Sequence, residues 1–374
     1  MNVYVIIDTP VKSADLLYKT GYYCLDPFIY IENGGEKIAF LPGTEFEKAK
    51  KKGRLNKVCN LSDELQKLSQ TKKYPFLKSS VVLEYLLKNE INEIFVSANF
   101  PLIEADNLRN HNIKIYTKEE PLYKERVSKN AEEIEYIRQN SKKNVLVMDG
   151  VKNILLESTI TNDGRLKHNG EILTVKILQD FIYKKFIDLD LYSDTVITSI
   201  GDQACDPHET GYGDVLAHQS IVIDIYPRSR TNYYYTDMTR TFCKGKASGE
   251  LKQIYESVRD CQKLIADKIK ADTNGASIHQ FAVDFFANKG YKSGVIDGVL
   301  QGFFHGTGHG LGLECHEDPY ISTYGKNLPE NSIVSNEPGL YYLGIGGVRI
   351  EDLLLITKDG CENLTNCEKE LELE

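Results

Sequence analysis

Short apolar runs alternate with amphipathic stretches over the first third of the chain. VYVII (3–7) reads as a strand, and FIYIE (28–32) and KIAFL (37–41) flank Asn33-Gly34-Gly35. Residues that accept positive φ between two apolar runs signal a β-hairpin. Helical periodicity follows at 44–52, 61–70 and 79–89, then a strand at 93–98, a helix at 100–110 and a strand at 113–117. This alternation predicts a small α/β domain. A long amphipathic helix is predicted over 129–155, with Ile134, Ile137, Val145 and Val147 on its apolar positions, and a second over 170–187. Strand-like DTVITSIG (194–201), QSIVIDIY (219–226) and NYYYTDMTRTFCKG (232–245) come next, the last two as arms of a hairpin. Helices at 249–271 and 277–289 follow, with Ser277 the expected N-cap of the second. SIVSNEPGLYY (332–342) and GVRIEDLLLIT (347–357) are again strand-like, and the polar tail after 358 is expected at the surface. The order helix, helix, strands thus occurs twice, which suggests a duplicated α/β half.

At 374 residues the chain exceeds what one hydrophobic core usually serves. We place a boundary near 123–128, giving a first domain of 1–125 and a second of 126–374. Its 41% hydrophobic and 26% charged residues are those of an ordinary soluble globular protein. A net charge of −9 and a pI near 5.5 argue against nucleic acid as the main partner. No apolar run approaches the ~20 residues of a membrane helix. The N-terminal stretch has neither a basic n-region nor a cleavage site, so no signal peptide is expected. The eight cysteines are scattered without a CxxC pair, which points to free thiols in a reducing cytoplasm. Cys315 lies beside His316, yet nothing around it supplies the base and orienting partner of a catalytic thiol.

Candidate chemistry concentrates in Gln301–Tyr320, QGFFHGTGHGLGLECHEDPY. Three of the eight histidines, His305, His309 and His316, fall here among glycines at 306, 308, 310 and 312, which are expected to let the backbone approach a bound peptide. Elsewhere, Asp224, Asp237, Glu337 and Glu351 are each embedded in apolar or aromatic sequence that reads as strand. A buried carboxylate is costly unless paired or bound to a metal. Singly, each suits a strand end or a salt bridge. With His309 they make an oxygen-rich set suited to divalent ions such as Mn²⁺, Co²⁺, Fe²⁺ or Zn²⁺, and not to a Cys-type structural zinc. Paired ions activate water and polarise a carbonyl, which predicts hydrolysis of an amide or ester.

The stretches IDIYPR, TDMTRTF, HGTGHGLGLECHED, NEPGLYY and GVRIED together resemble the pita-bread metallopeptidases, the clan of methionine aminopeptidase, aminopeptidase P and prolidase. The resemblance covers 129–357. It implies a pita-bread catalytic domain with pseudo-twofold helix-helix-strand halves, preceded by a smaller α/β domain similar to that of creatinase and prolidase. It implies five ligands to two divalent ions, Mn²⁺ foremost. Asp224 would chelate one ion, Asp237 and Glu351 would bridge both, and His309 and Glu337 would hold the second. Glu337 would also serve as general base. His305 and His316 resemble family histidines that contact substrate and stabilise the intermediate. Arg349 resembles the arginine that orients these groups or the substrate carboxylate, and His208 resembles a histidine at the pocket entrance. One departure stands out. Tyr226 replaces the glycine of the family's Asp-x-Gly, and the interval from Asp224 to Asp237 is two residues longer, which lengthens the turn at PRSRTN.

The implied activity is that of an Xaa-Pro aminopeptidase, cleaving a peptide with proline in second position. The alternative is an Xaa-Pro dipeptidase. A non-catalytic binding module on the same fold would be expected to have lost ligands, as creatinase has. A homodimer is implied by the resemblance alone.

Overall fold

The structure, a computed structural model, describes residues 2–71, 74–119 and 121–374. The chain divides into two compact units, Met1–Arg126 and Val127–Glu374.

The first unit is built on a mixed sheet in the order Lys57–Asn60, Glu36–Leu41, Phe28–Asn33, Val3–Asp8, Glu93–Ser97, Lys114–Lys118. Its first hairpin turns through Gly34 and Gly35, with φ of 59° and 89°. Two consecutive positive φ values match the twist of the flanking strands. Alternation along the strands feeds two cores. Val5, Ile29 and Ile31 pack with Leu83 and Leu86 of the helix Lys78–Lys88. Ile6, Phe28 and Tyr30 pack with Leu16 on the other face. Leu16 belongs to the helix Ala14–Thr20, which the periodicity did not reveal. Seven residues are too few to display two apolar turns, but Ser13 caps its start and Gly21, at φ 58°, closes its end. The strand Lys57–Asn60 was also missed, because an edge strand has little apolar alternation to show.

The second unit repeats one arrangement. Helices Ala131–Glu157 and Val175–Asp188 share a core with the sheet Ile197–Ile200, Ile221–Ile225, Met238–Lys244 and Glu372–Leu373. Helices Gly249–Lys268 and Gly275–Asn288 share another with the sheet Glu317–Ile321, Gly308–Gly310, Ile333–Asn336, Asp352–Ile356 and Cys361–Asn363. Asn130 opens the first helix with a full capping box to Glu133. The helix Gly275–Asn288 starts earlier than expected: Asn274, not Ser277, is its N-cap, and the Asn274 Oδ1 accepts from the Ser277 N–H at 3.0 Å.

The tail after 358 is corrected as well. Cys361–Asn363 adds an edge strand, and Glu372–Leu373 pairs in parallel with Cys243 and Lys244. Leu364, Leu371 and Leu373 are buried, so the tail completes both sheets. Leu373→Ala is expected to destabilise the protein by about 2–4 kcal/mol, the usual range for truncating a buried leucine. A thermal or urea transition indistinguishable from wild type would contradict this.

Candidate metal centre and active site

Asp224 lies in the central strand Ile221–Ile225 and faces Thr239 across the antiparallel ladder. Asp237, read as strand from the sequence, lies immediately before the strand Met238–Lys244, two residues ahead of Thr239. The longer interval between the aspartates is taken up beyond them. Arg228 bridges to Tyr235, and Arg228–Ser229 pairs with Leu191–Tyr192, which leaves the register at Asp224 undisturbed.

The strand reading of Glu337 and Glu351 is corrected. Glu337 lies between the strands Ile333–Asn336 and Gly339–Tyr342, and Glu351 between Gly346–Arg349 and Asp352–Ile356. At both glutamates the chain passes between the five-stranded sheet and the ribbon formed by Gly339–Tyr342 and Gly346–Arg349. Each break releases the side chain from the up-and-down alternation of a strand, and both glutamates face one cavity.

His309 is carried by the short strand Gly308–Gly310. The glycines on either side admit neighbouring protein backbone. A Cβ at Gly308 would lie 2.0 Å from the Ser335 carbonyl oxygen, and one at Gly310 would lie 2.5 Å from that of Asp318. This close approach lets the Ser335 hydroxyl accept from the His309 N–H at 2.9 Å and donate to Glu337 Oε1 at 3.0 Å.

All five residues line one cavity. His309 Nε2 is 3.2 Å from Glu337 Oε1 and 3.9 Å from Asp237 Oδ2. His309, Asp237 and Glu351 each present a ligand atom within 4.8 Å of the others. His309 Nδ1 lies 3.1 Å from the Gly310 carbonyl; donating there leaves Nε2 as the ring nitrogen that faces Glu337 and Asp237. Thr239 donates to Glu351 Oε2 at 2.8 Å. Asp224 Oδ1, Asp237 Oδ1 and Glu351 Oε1 are buried with no hydrogen-bond partner.

The cluster is electrostatically unbalanced. Burial pushes the carboxyls of Asp237 and Glu351 well above the usual range, and neighbouring carboxylates push them further. Burial raises Asp224 too, against the opposing Arg349 guanidinium. Glu337 goes the other way. Burial disfavours its charge, but the hydrogen bond and charge of His309 prevail and bring it to about 2. Burial likewise disfavours charge on His309, yet Glu337 raises it to about 9.

The remaining candidates surround the same cavity, of about 930 Å³. His305 donates from Nδ1 to the Gly306 carbonyl at 2.7 Å, and its Nε2 lies 2.9 Å from the Tyr341 hydroxyl. Arg349 Nη1 donates to that same hydroxyl at 3.0 Å and Nη2 to Asp224 Oδ2 at 2.7 Å. Arg349 is thus committed within the protein. The His316 ring stands 4.1 Å from that of His309, and the exposed His208 lines the rim. Cys315 Sγ is 3.7 Å from Asp237 Oδ2, and burial raises its thiol well above the normal value, so it is not a thiolate nucleophile.

Tyr341, Thr239, Ser335 and Arg240 were not singled out from the sequence. Arg240 is fully buried, bonds Asp352 Oδ1 at 2.7 Å and the Glu351 carbonyl at 2.6 Å, and so pins the break that carries Glu351. Thr239 and Ser335 each lie two residues from a ligand candidate, and that parity was the available signal. Tyr341→Phe is expected to lower kcat about tenfold through loss of the hydrogen bonds that orient His305 and Arg349, with KM little changed. Steady-state kinetics with an unaltered kcat would contradict this.

Residues 145–358 match the model of metallopeptidase family M24. The chain belongs to this family. It is 28% identical over 363 residues to an Xaa-Pro dipeptidase of Pyrococcus furiosus, covering 96% of this chain and 93% of the relative. An Xaa-Pro dipeptidase of Pyrococcus horikoshii is 33% identical over 179 residues, 48% of each protein. Among solved structures, an X-Pro aminopeptidase of Thermotoga maritima superposes with a TM-score of 0.80 at 22% identity, covering 100% of this chain and 97% of the other. A Pyrococcus furiosus prolidase does so with a TM-score of 0.77 at 23% identity, covering 99% and 97%. The second unit of this M24 metallopeptidase has the pita-bread fold, and a prolidase-type domain precedes it. The family implies divalent metal ions, and the site fits them: three unpartnered, buried carboxylate oxygens beside the His309 imidazole are an oxygen-rich donor set of the kind that binds a divalent cation. Among the described residues, no helix is long and apolar enough to cross a membrane.

Proposed function

We propose that the protein is a cytoplasmic Xaa-Pro aminopeptidase that releases the first residue of a peptide with proline in second position. The observation that carries the hydrolytic chemistry is the convergence of Asp224, Asp237, His309, Glu337 and Glu351 on one cavity. The proline preference is supported by the Xaa-Pro dipeptidase of Pyrococcus furiosus, aligned over nearly the full length of both proteins. These five residues would hold two divalent ions, Mn²⁺ foremost. When bound, the ions supply an activated water and polarise the scissile carbonyl.

The protein's own groups do the rest. Glu337 is an ionised carboxylate placed to accept the water's proton and pass it to the departing proline nitrogen. His316 faces the cavity, where its ring would bind substrate and steady the developing oxyanion, while His305, held by the Gly306 carbonyl and the Tyr341 hydroxyl, would shape the wall beside it. Arg349 orients Asp224 and, through Tyr341, His305. His208 would meet the peptide at the rim.

The test is metal-dependent release of the first residue from Xaa-Pro and Xaa-Pro-Yaa peptides after chelation and Mn²⁺ reconstitution. No release from any of them would refute the reading. A second reading, Xaa-Pro dipeptidase, is favoured by the names of the two curated relatives, and the same peptides separate it. A homodimer belongs to the proposal and is read by size-exclusion chromatography with light scattering.

A further inference from the structure

Two polar side chains of the cavity are unused by the chemistry above. His279, on the helix Gly275–Asn288, is only 8% exposed. Its Nδ1 lies 2.9 Å from the Thr307 hydroxyl, and its ring stands 5.6 Å from that of Phe303. The Nε2 edge is left for a ligand, and the residue lines the cavity. Ser322 follows the strand Glu317–Ile321, is 7% exposed and also lines the cavity. Its buried Oγ has no hydrogen-bond partner. A buried hydroxyl facing a cavity without a partner is a place where a ligand's polar group belongs.

We propose that His279 and Ser322 form a hydrogen-bonding subsite for the peptide backbone on the C-terminal side of the scissile bond, selecting a substrate that continues as an amide over one that ends in a carboxylate. The subsite rests on the peptidase reading for its orientation. An enzyme that removes one residue needs a closed end before the scissile bond and an open one after it. Ile197, buried and paired with Asp224, lines the cavity near the ligand cluster. Tyr324, 68% exposed and two residues beyond Ser322, shows that the cavity reaches the surface on the Ser322 side.

The selection follows from charge. Among the described residues lining the cavity, the cation of fixed charge is Arg349, whose guanidinium is held by Asp224, Tyr341 and Thr239. Burial lowers the His279 pKa, so this imidazole is neutral. A neutral imidazole and a hydroxyl satisfy an amide, whereas a buried carboxylate also needs a counter-charge. Phe303, Tyr320 and Tyr324 supply apolar walls for the proline and the residue after it.

The experiment compares Ala-Pro, Ala-Pro-NH₂ and Ala-Pro-Ala on the Mn²⁺-loaded wild type, His279→Ala and Ser322→Ala. Wild type is expected to favour the amide and the tripeptide over the free dipeptide by about tenfold or more in kcat/KM. Each variant is expected to raise KM for the two longer substrates about five- to tenfold, with most of kcat retained, so that the preference collapses. Equal use of Ala-Pro and its amide by wild type overturns the inference, as does a preference unchanged in both variants. If no Xaa-Pro peptide is cleaved, the peptidase reading fails, and calorimetry with Pro-Gly-NH₂ still decides the subsite. Weaker binding by both variants supports it; an equal Kd in all three proteins overturns it.

Discussion

Replacing Glu337 with glutamine is expected to reduce turnover of an Xaa-Pro peptide by roughly 10³-fold or more, in line with loss of a general base that also holds a metal. The substitution keeps the shape of the side chain, lets the amide oxygen accept from the Ser335 hydroxyl as Oε1 does, and leaves the bond from the His309 N–H to Ser335 in place. The fold should therefore survive, and the thermal transition of the metal-free variant should be cooperative. The carboxylate is special in this cluster because His309 holds it at about 2 while burial and like charge push Asp237 and Glu351 upward. In the metal-free protein it is the acidic group kept ionised by its own partner. Steady-state assays of the Mn²⁺-loaded variant, with metal content measured alongside, provide the check. Turnover within tenfold of wild type would remove Glu337 from its assigned role.

Asp237→Asn is expected to have opposite effects on function and on metal-free stability. Metal affinity should fall at least about 100-fold and peptide cleavage with it, because the amide replaces a ligand oxygen that has no other partner. The metal-free variant should nevertheless be more stable than the metal-free wild type, by about 1–3 kcal/mol at neutral pH, since one fewer buried negative charge is left uncompensated. The sign follows from linkage. A carboxyl whose folded-state pKa is raised binds its proton more tightly when folded, so ionising it costs stability. For Asp224, Asp237 and Glu351 that cost is full above their raised values and disappears as pH falls into the ordinary carboxylate range. Adding Mn²⁺ should reverse the order, because binding to the native state stabilises wild type by mass action and the variant hardly at all. Thermal unfolding with and without the ion reads both parts. A variant less stable than wild type in chelator would show that the carboxylates are not in electrostatic conflict.

Much of the second unit was legible because its elements are long and periodic. The helix Ala131–Glu157 carries its capping box in the sequence, and the strand IVIDI declares its burial by having no polar residue but the aspartate. Legibility failed where an element is short or draws its stability from partners distant in sequence. The helix Ala14–Thr20 and the strand Glu372–Leu373 are examples; the latter exists because it pairs with Cys243 and Lys244. The two glutamates were readable as residue types out of place, but not as residues at breaks. A break between strands is set by which sheet each segment joins, and no local propensity records that choice.

The sequence by itself determined the residue types available for chemistry and their order along the chain, because carboxylates embedded in apolar runs are conspicuous wherever those runs end up. Only the tertiary structure decided which oxygens are left without partners. Arg349 takes one oxygen of Asp224, Thr239 takes one of Glu351, Ser335 takes one of Glu337, and the Gly310 carbonyl turns His309 so that Nε2 faces Glu337. Those bonds join residues up to 125 positions apart. The bonds from Arg349 and Thr239 depend on distant segments meeting at hydrogen-bond distance, and that geometry exists only once the chain has packed.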